Sequence, residues 1–140
     1  MEWFVKAFLK ASIAWLALGV TLGVGMAVFP QLIIYRLAHV HMNLLGFVTM
    51  MIYGVAYHVI PRFTGNQLHM RGVAVVQWWL ANAGLALMVV GFCLAPHAVP
   101  VAPFLLGTGG VLSATAAYCF AYNIWRTIDG ARRRAGVPHG

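Results

Sequence analysis

The sequence predicts an all-α protein, a single bundle of four transmembrane helices with both termini cytoplasmic, and three observations carry that prediction. Of 140 residues, 62% are hydrophobic and only 8% charged, with a mean hydropathy of +0.84. Soluble domains are about a quarter charged, so this chain lacks the polar side chains to cover a core in water. Its apolar residues fall into four stretches of roughly 20, each able to cross the hydrocarbon of a bilayer as a helix. The basic residues sit at the ends of those stretches, where flanking charges belong. Residues 1–140 therefore read as one transmembrane domain with no room for a typical folded extramembrane domain.

The first span is expected over about residues 8–29, opening its uncharged run after Lys10 and stopped by Pro30. No small-residue cleavage site follows it, so it reads as a retained helix rather than a signal peptide. Gly19 and Gly23 form a G-x-x-x-G pair, which allows another helix a close approach or is an accident of a glycine-rich membrane chain. The second span is expected over about 37–60, between Arg36 and Pro61-Arg62. The third, about 72–95, opens after Arg71 and ends near Pro96. The segment PHAVPVAP then reads as a loop, because repeated prolines do not continue a helix. The fourth span runs over about 104–126, leaving a basic C-terminal tail at 127–140.

Orientation follows from counting. Lys6, Lys10, Arg62, Arg71, Arg126, Arg132, Arg133 and Arg134 lie on one side, eight residues against Arg36 alone on the other. The excess marks the cytoplasmic face. The run Arg132–Arg134 is a topology signal or a contact for anionic headgroups, and no nucleic-acid partner is expected. Trp78, Trp79 and Trp125, near inner ends, fit an interfacial belt or packing between helices. Cys93 and Cys119 lie on different spans near opposite ends, so no disulfide is expected between them.

Ionisable residues within a span point to function, because desolvating them is costly unless something binds them. The second span has His39, His41 and His58. At about 100° and 1.5 Å per residue, His39 and His41 share a depth near the outer end but point to nearly opposite sides, while His58 lies near the inner end. The His39 face continues through Asn43, Gly46, Met50, Tyr53, Gly54 and Tyr57, a small and polar stripe suited to the bundle interior. The His41 face continues through Leu45, Val48, Ile52, Val55 and Val59, and a histidine heading an aliphatic stripe calls for a partner beyond its own bundle, a cofactor or a second protomer. Either histidine is otherwise an interface residue bonded to a headgroup or a carbonyl. A closed zinc or copper site takes more ligands than this depth provides, since both acids, Glu2 and Asp129, lie outside the spans. Hydrolytic and proton-pumping chemistry lack an intramembrane carboxylate. Haem needs one or two ligands and an apolar slot.

The segment RLAHVHMNLLGFVTMMIYGVAYHVIPRFTG, Arg36 to Gly65, resembles helix II of subunit I of the haem-copper oxidases, in the form of the nitric-oxide reductase and C-type oxidase branch. The matching residues are His41, Met42, Asn43, Leu44 and Leu45 at the start and Tyr57 with Pro61 at the end. The family's helix II histidine is an axial ligand of the low-spin haem, and the resemblance assigns that role to His41, with His39 as second candidate. It implies a haem b iron held in an integral protein of a bacterial-type inner membrane. The family's later helices carry the second axial ligand and a three-histidine copper site. Spans one, three and four here have no histidine, so the binuclear centre and its catalysis are not expected. Electron transfer or a response to a small gas such as NO or O2 remains, with a redox partner protein.

For the second axial ligand three sources stay open: a histidine of another protomer in a homodimer, His97 of the outer loop, or Met26. Arg36 is placed to pair with haem propionates or to anchor headgroups, and Asn43 or a backbone carbonyl to receive the ligand's ring N–H. The alternative is a membrane assembly, scaffold or transport protein that uses the same helices without haem.

Overall fold

The computed structural model describes residues 1–135, with side chains described through residue 130. Every regular element is helical. Helix α1 spans Trp3–Val28. Helix α2 is one continuous run, Pro30–Thr64, that opens as a 3-10 turn over Pro30–Tyr35, becomes α-helical over Arg36–His41, widens into a π-helix over Met42–Thr49 and returns to α over Met50–Thr64. Helix α3 covers Arg71–His97, its last turn tightened to 3-10 from Ala95, and α4 covers Ala102–Ala135. All four are long and apolar enough to cross a membrane.

Helices are the only open-ended structure that satisfies its own backbone in lipid, and their hydroxyls must be satisfied as well. They are: Ser12 Oγ donates to the Leu9 carbonyl at 2.8 Å, Thr21 Oγ1 to Ala17 at 2.7 Å and Thr115 Oγ1 to Val111 at 2.8 Å.

Several boundaries differ from the sequence reading: α2 begins at Pro30 rather than near residue 37, and Pro96 and His97, expected in the loop, continue α3. Pro61 does not end α2 but lies inside it, and the helix stops at Gly65, whose φ of +68° is the left-handed conformation that commonly terminates helices. Proline removes the ladder hydrogen bond to the Tyr57 carbonyl, and beyond it Arg62 Nη1 donates to the His58 carbonyl at 2.6 Å and Thr64 Oγ1 to that of Ile60 at 2.9 Å. Helix α1 begins at Trp3, so Lys6 and Lys10 are exposed residues of the helix itself. The expected tail is helical through Ala135; the side chains of Arg132, Arg133 and Arg134, and all of 136–140, lie outside the described residues.

The core sits where α1, α2 and α4 meet. Phe8 stacks edge-on to Tyr53 with ring centroids 5.7 Å apart, Phe4 to Tyr57 at 5.8 Å, and Phe120 closes on Tyr53 at 4.5 Å. Tyr57 donates to Gln77 Oε1 of α3, both side chains being buried. The pair α3 and α4 packs closest: a Cβ on Gly109 would lie 2.6 Å from the Gly84 carbonyl oxygen, and one on Gly84 would lie 2.9 Å from that of Gly109. Small residues allow this approach, which in lipid supplies the dispersion contacts that hold helices together.

The connection between α2 and α3 is pinned to α4. Asn123, fully buried, accepts from the Met70 N–H through Oδ1 and donates from Nδ2 to the Met70 carbonyl, both at 2.9 Å. Asn66 Nδ2 donates to the Thr127 carbonyl at 2.8 Å, and the His69 N–H donates to Thr127 Oγ1 at 3.1 Å. Asn123→Leu removes both hydrogen bonds to Met70, and the expected loss is roughly 1–3 kcal/mol at about 0.5–1.5 kcal/mol per bond. Hydrogen exchange on intact protein should then accelerate at residues 66–70 before the helices; unchanged exchange there would mean that the clamp does not hold the loop.

Candidate site at the His39–His41 end of the second helix

The interior stripe read from the sequence is the buried face of α2: Gly46, Met50, Tyr53, Gly54 and Tyr57 are all buried. Val48, Ile52 and Val55 on the other side are exposed. The intervening π-helix was not foreseen. Its footprint is that buried residues recur at Ala38, Met42, Gly46 and Met50, every fourth position, where a regular α-helix alternates threes and fours. Thr49 Oγ1 donates to the Leu44 carbonyl five residues back at 2.9 Å, matching the wider turn. Such widened turns in α-helices are rare and concentrate at functional sites. This one begins immediately after His41.

His39 lies in the seam with α1, and the G-x-x-x-G pair forms the groove that receives it. A Cβ on Gly23 would lie 2.8 Å from His39 Cε1, and one on Gly19 would lie 2.6 Å from Asn43 Nδ2. Two polar side chains, rather than a bare helix face, fill that groove. His39 Nδ1 is 2.7 Å from the Gly19 carbonyl oxygen. A carbonyl only accepts, so Nδ1 carries the proton and Nε2 holds the lone pair. Asn43 Nδ2, 3.3 Å from His39 Nδ1, is then not bonded to it; this amide donates to the His39 carbonyl at 2.8 Å.

His41 turns to the other side, against α3. Its ring lies 4.5 Å from that of Phe92, centroid to centroid, so it is half-buried within its own chain. That corrects the expectation that the His41 face finds its cover only beyond the bundle: one side of the ring is packed, while the stripe below it is open. His41 Nδ1 donates to the Leu37 carbonyl at 2.8 Å, which again leaves Nε2 with the lone pair. The acceptors of both ring N–H groups are backbone carbonyls, and Asn43 does not take that role.

The structure does not bring His39 and His41 to one side of the helix, so one iron within one chain is not held by both. The other residues named from sequence are spread around this end. Arg36 is exposed at the first α-helical turn. His97 Nε2 is 2.9 Å from the Tyr35 hydroxyl, a link between the start of α2 and the end of α3 that gives that nitrogen a partner already. Tyr35 was missed by sequence reasoning, since nothing in the spacing pairs it with a residue 62 positions away. Met26 is half-buried on α1. His58 lies near the opposite end, its Nδ1 accepting from Arg62 at 2.7 Å. Among the described residues no three His, Cys, Asp or Glu side chains gather into a metal cluster. A porphyrin iron does not require one, since its ring supplies four donors and the protein one or two.

No protein-family profile matches the chain. It is similar to the Cbb3-type cytochrome c oxidase subunit CcoN1 of Stutzerimonas stutzeri, 25% identical over 126 residues, covering 70% of this chain and 26% of that protein. It is also similar to a cytochrome c oxidase subunit 1 homolog of Agrobacterium tumefaciens (strain T37), 28% identical over 132 residues, covering 76% of this chain and 24% of that protein. The chain spans about a quarter of the length of these relatives. With four helices able to cross a bilayer, it is a multi-pass membrane protein with a distant similarity to part of oxidase subunit I.

Proposed function

We propose that the chain binds haem b through His41 in a bacterial-type inner membrane and serves electron transfer or a response to a small gas, without a binuclear haem-copper centre. The observation that carries this reading is the state of the His41 ring. Its Nδ1–H is fixed on the Leu37 carbonyl, its plane is backed by Phe92, and its Nε2 presents a lone pair. A histidine that ligates iron donates its other ring N–H to a carbonyl or carboxylate in this way, which sets the tautomer and raises the basicity of the ligating nitrogen. When bound, the haem supplies one-electron redox chemistry or a vacant iron position for a gas.

The protein's part is to hold and cover that group. Leu37, Val40 and Leu44 are exposed apolar residues flanking His41, and they offer one wall of a slot for the macrocycle. Arg36, five residues or about 7.5 Å along the helix, supplies a cation for the propionates. One chain covers one side only, and a second copy facing it in a homodimer would supply the opposite wall and a second histidine to hold the group. The stripe on α2 supports that role: Val48 is 42% exposed and Ile52 53%, apolar side chains free to face a partner helix or lipid. The cheapest test is the absorption spectrum of purified protein. A Soret band supports haem; its absence after growth with haem precursor overturns the reading in favour of a haem-free assembly or transport protein. A six-coordinate spectrum insensitive to carbon monoxide identifies electron transfer, and a carbon monoxide shift identifies gas binding.

The orientation we propose puts both termini and the 65–70 connection in the cytoplasm, from the excess of basic residues there. Val101→Cys, in the connection between α3 and α4 and 44% exposed, is expected to react with an impermeant maleimide in intact spheroplasts. Labelling only after permeabilisation would reverse the topology.

A further inference from the structure

At the end of the bundle opposite the two outer histidines, α1, α2 and the 65–70 connection enclose a cavity of about 290 Å³. Two guanidinium groups line it, Arg62 from the last turn of α2 and Arg71 from the first turn of α3, together with one acid, Glu2. Glu2 Oε1 pairs with Arg71 Nη2 at 3.0 Å. Arg62 Nη1 donates only to neutral groups of its own helix, the His58 carbonyl at 2.6 Å and His58 Nδ1 at 2.7 Å. Among the described residues Arg62 therefore has no counter-ion; Asp129, the sole other acid in the sequence, lines a separate pocket with His69 and Arg126. The rest of the lining is mixed, with Pro61 and Leu68 apolar beside the polar Asn66 and Gln67. The cavity is held open rather than improvised, because the connection forming one wall is bolted to α4 through Asn66, Met70 and Asn123, and Arg71 follows Met70 directly.

We propose that this cavity is an anion site for a phosphate group, with Arg62 as its principal cation and Arg71 as the second. A cation without a counter-ion at the depth of helix ends suits the headgroup of an anionic phospholipid. Basic pockets between transmembrane helices hold such headgroups by charge and planar hydrogen bonding together. Free inorganic phosphate has the same recognising chemistry.

The test uses the full chain purified in mild detergent. Native mass spectrometry measures retention of phosphatidylglycerol against phosphatidylcholine, and phosphorus NMR of delipidated protein measures binding of inorganic phosphate. Retention of phosphatidylglycerol over phosphatidylcholine is expected, weakened about fivefold by Arg62→Gln and about 25-fold by Arg62→Gln with Arg71→Gln, at about 1 kcal/mol per basic residue. Arg62→Lys keeps the charge and should restore most of the retention. Lys10→Gln, an exposed α1 cation outside the cavity, should have no effect. If inorganic phosphate binds with the same arginine dependence and no lipid is retained, the site holds free phosphate. Equal retention of both lipids with no phosphate binding, or a loss with Lys10→Gln as large as with Arg62→Gln, would overturn the site.

Discussion

Purified His41→Ala protein is expected to lack the Soret band of the parent, or to show it with a changed spin state. This is the largest spectroscopic effect anticipated for any single side chain here. Two independent features of His41 lead to this expectation. The segment around His41 carries the resemblance to helix II of the oxidases, and the ring is locked with Nδ1–H on Leu37 so that only Nε2 is available to a metal. Alanine removes the ligand and leaves Phe92 facing a gap, so a fold control is needed. His41→Gln keeps side-chain bulk without an imidazole and should lose the band while far-UV helicity is retained. His39→Ala separates two arrangements. If a partner chain contributes His39, the spectrum changes with it as well; if His41 pairs with His41 of the partner subunit, His39→Ala costs stability in the α1 seam and leaves the band. His58→Ala should leave the spectrum unchanged, because 17 residues of helix put it roughly 25 Å away. A native spectrum in both outer variants together with its loss in His58→Ala would refute the site.

Substitution of Gly109 by alanine is expected to cause the largest loss of stability among single-methyl additions. The added Cβ would lie 2.6 Å from the Gly84 carbonyl oxygen and 2.8 Å from the Met88 backbone nitrogen, and neither is a side chain that can rotate away. The helices must separate, giving up close packing along their length; overpacking of this kind costs about 1–3 kcal/mol, and Gly109→Val should exceed that. The neighbouring Gly110 provides the control, since nothing lies within 4 Å of its Cβ position. Gly110→Ala should be neutral or stabilise by up to about 1 kcal/mol through helix propensity. The comparison is made on apparent thermal midpoints in one detergent, and equal midpoints for the two alanine variants would contradict the backbone contact.

Much of this protein was legible before any coordinates. Four long apolar stretches with charges at their ends leave little choice in a bilayer, because backbone groups there must bond within their own segment. The interior face of α2 was likewise readable, from small and polar residues at helical spacing. Helix ends are less legible: Pro61 reads as a terminator because proline lacks the ladder donor, yet the helix runs on to Thr64 and stops at the left-handed Gly65.

What the sequence by itself determined was the class of molecule, the number of helices able to cross a bilayer, and two histidines near one end of one helix on opposite sides of it. Only the tertiary structure decided their partners. That Gly19 and Gly23 form a groove for Asn43 and His39, that Phe92 backs His41, and that Tyr35 meets His97 all depend on which helices lie side by side. The widening of α2 after His41 belongs with these, since an i to i+5 ladder is not favoured by local propensity and is sustained by packing. The physical reason is common to all four. Burial in lipid is dictated by composition along one chain segment, whereas the pairing of polar atoms inside the bundle is decided between segments distant in sequence, where a few tenths of an ångström separate a bond from a clash.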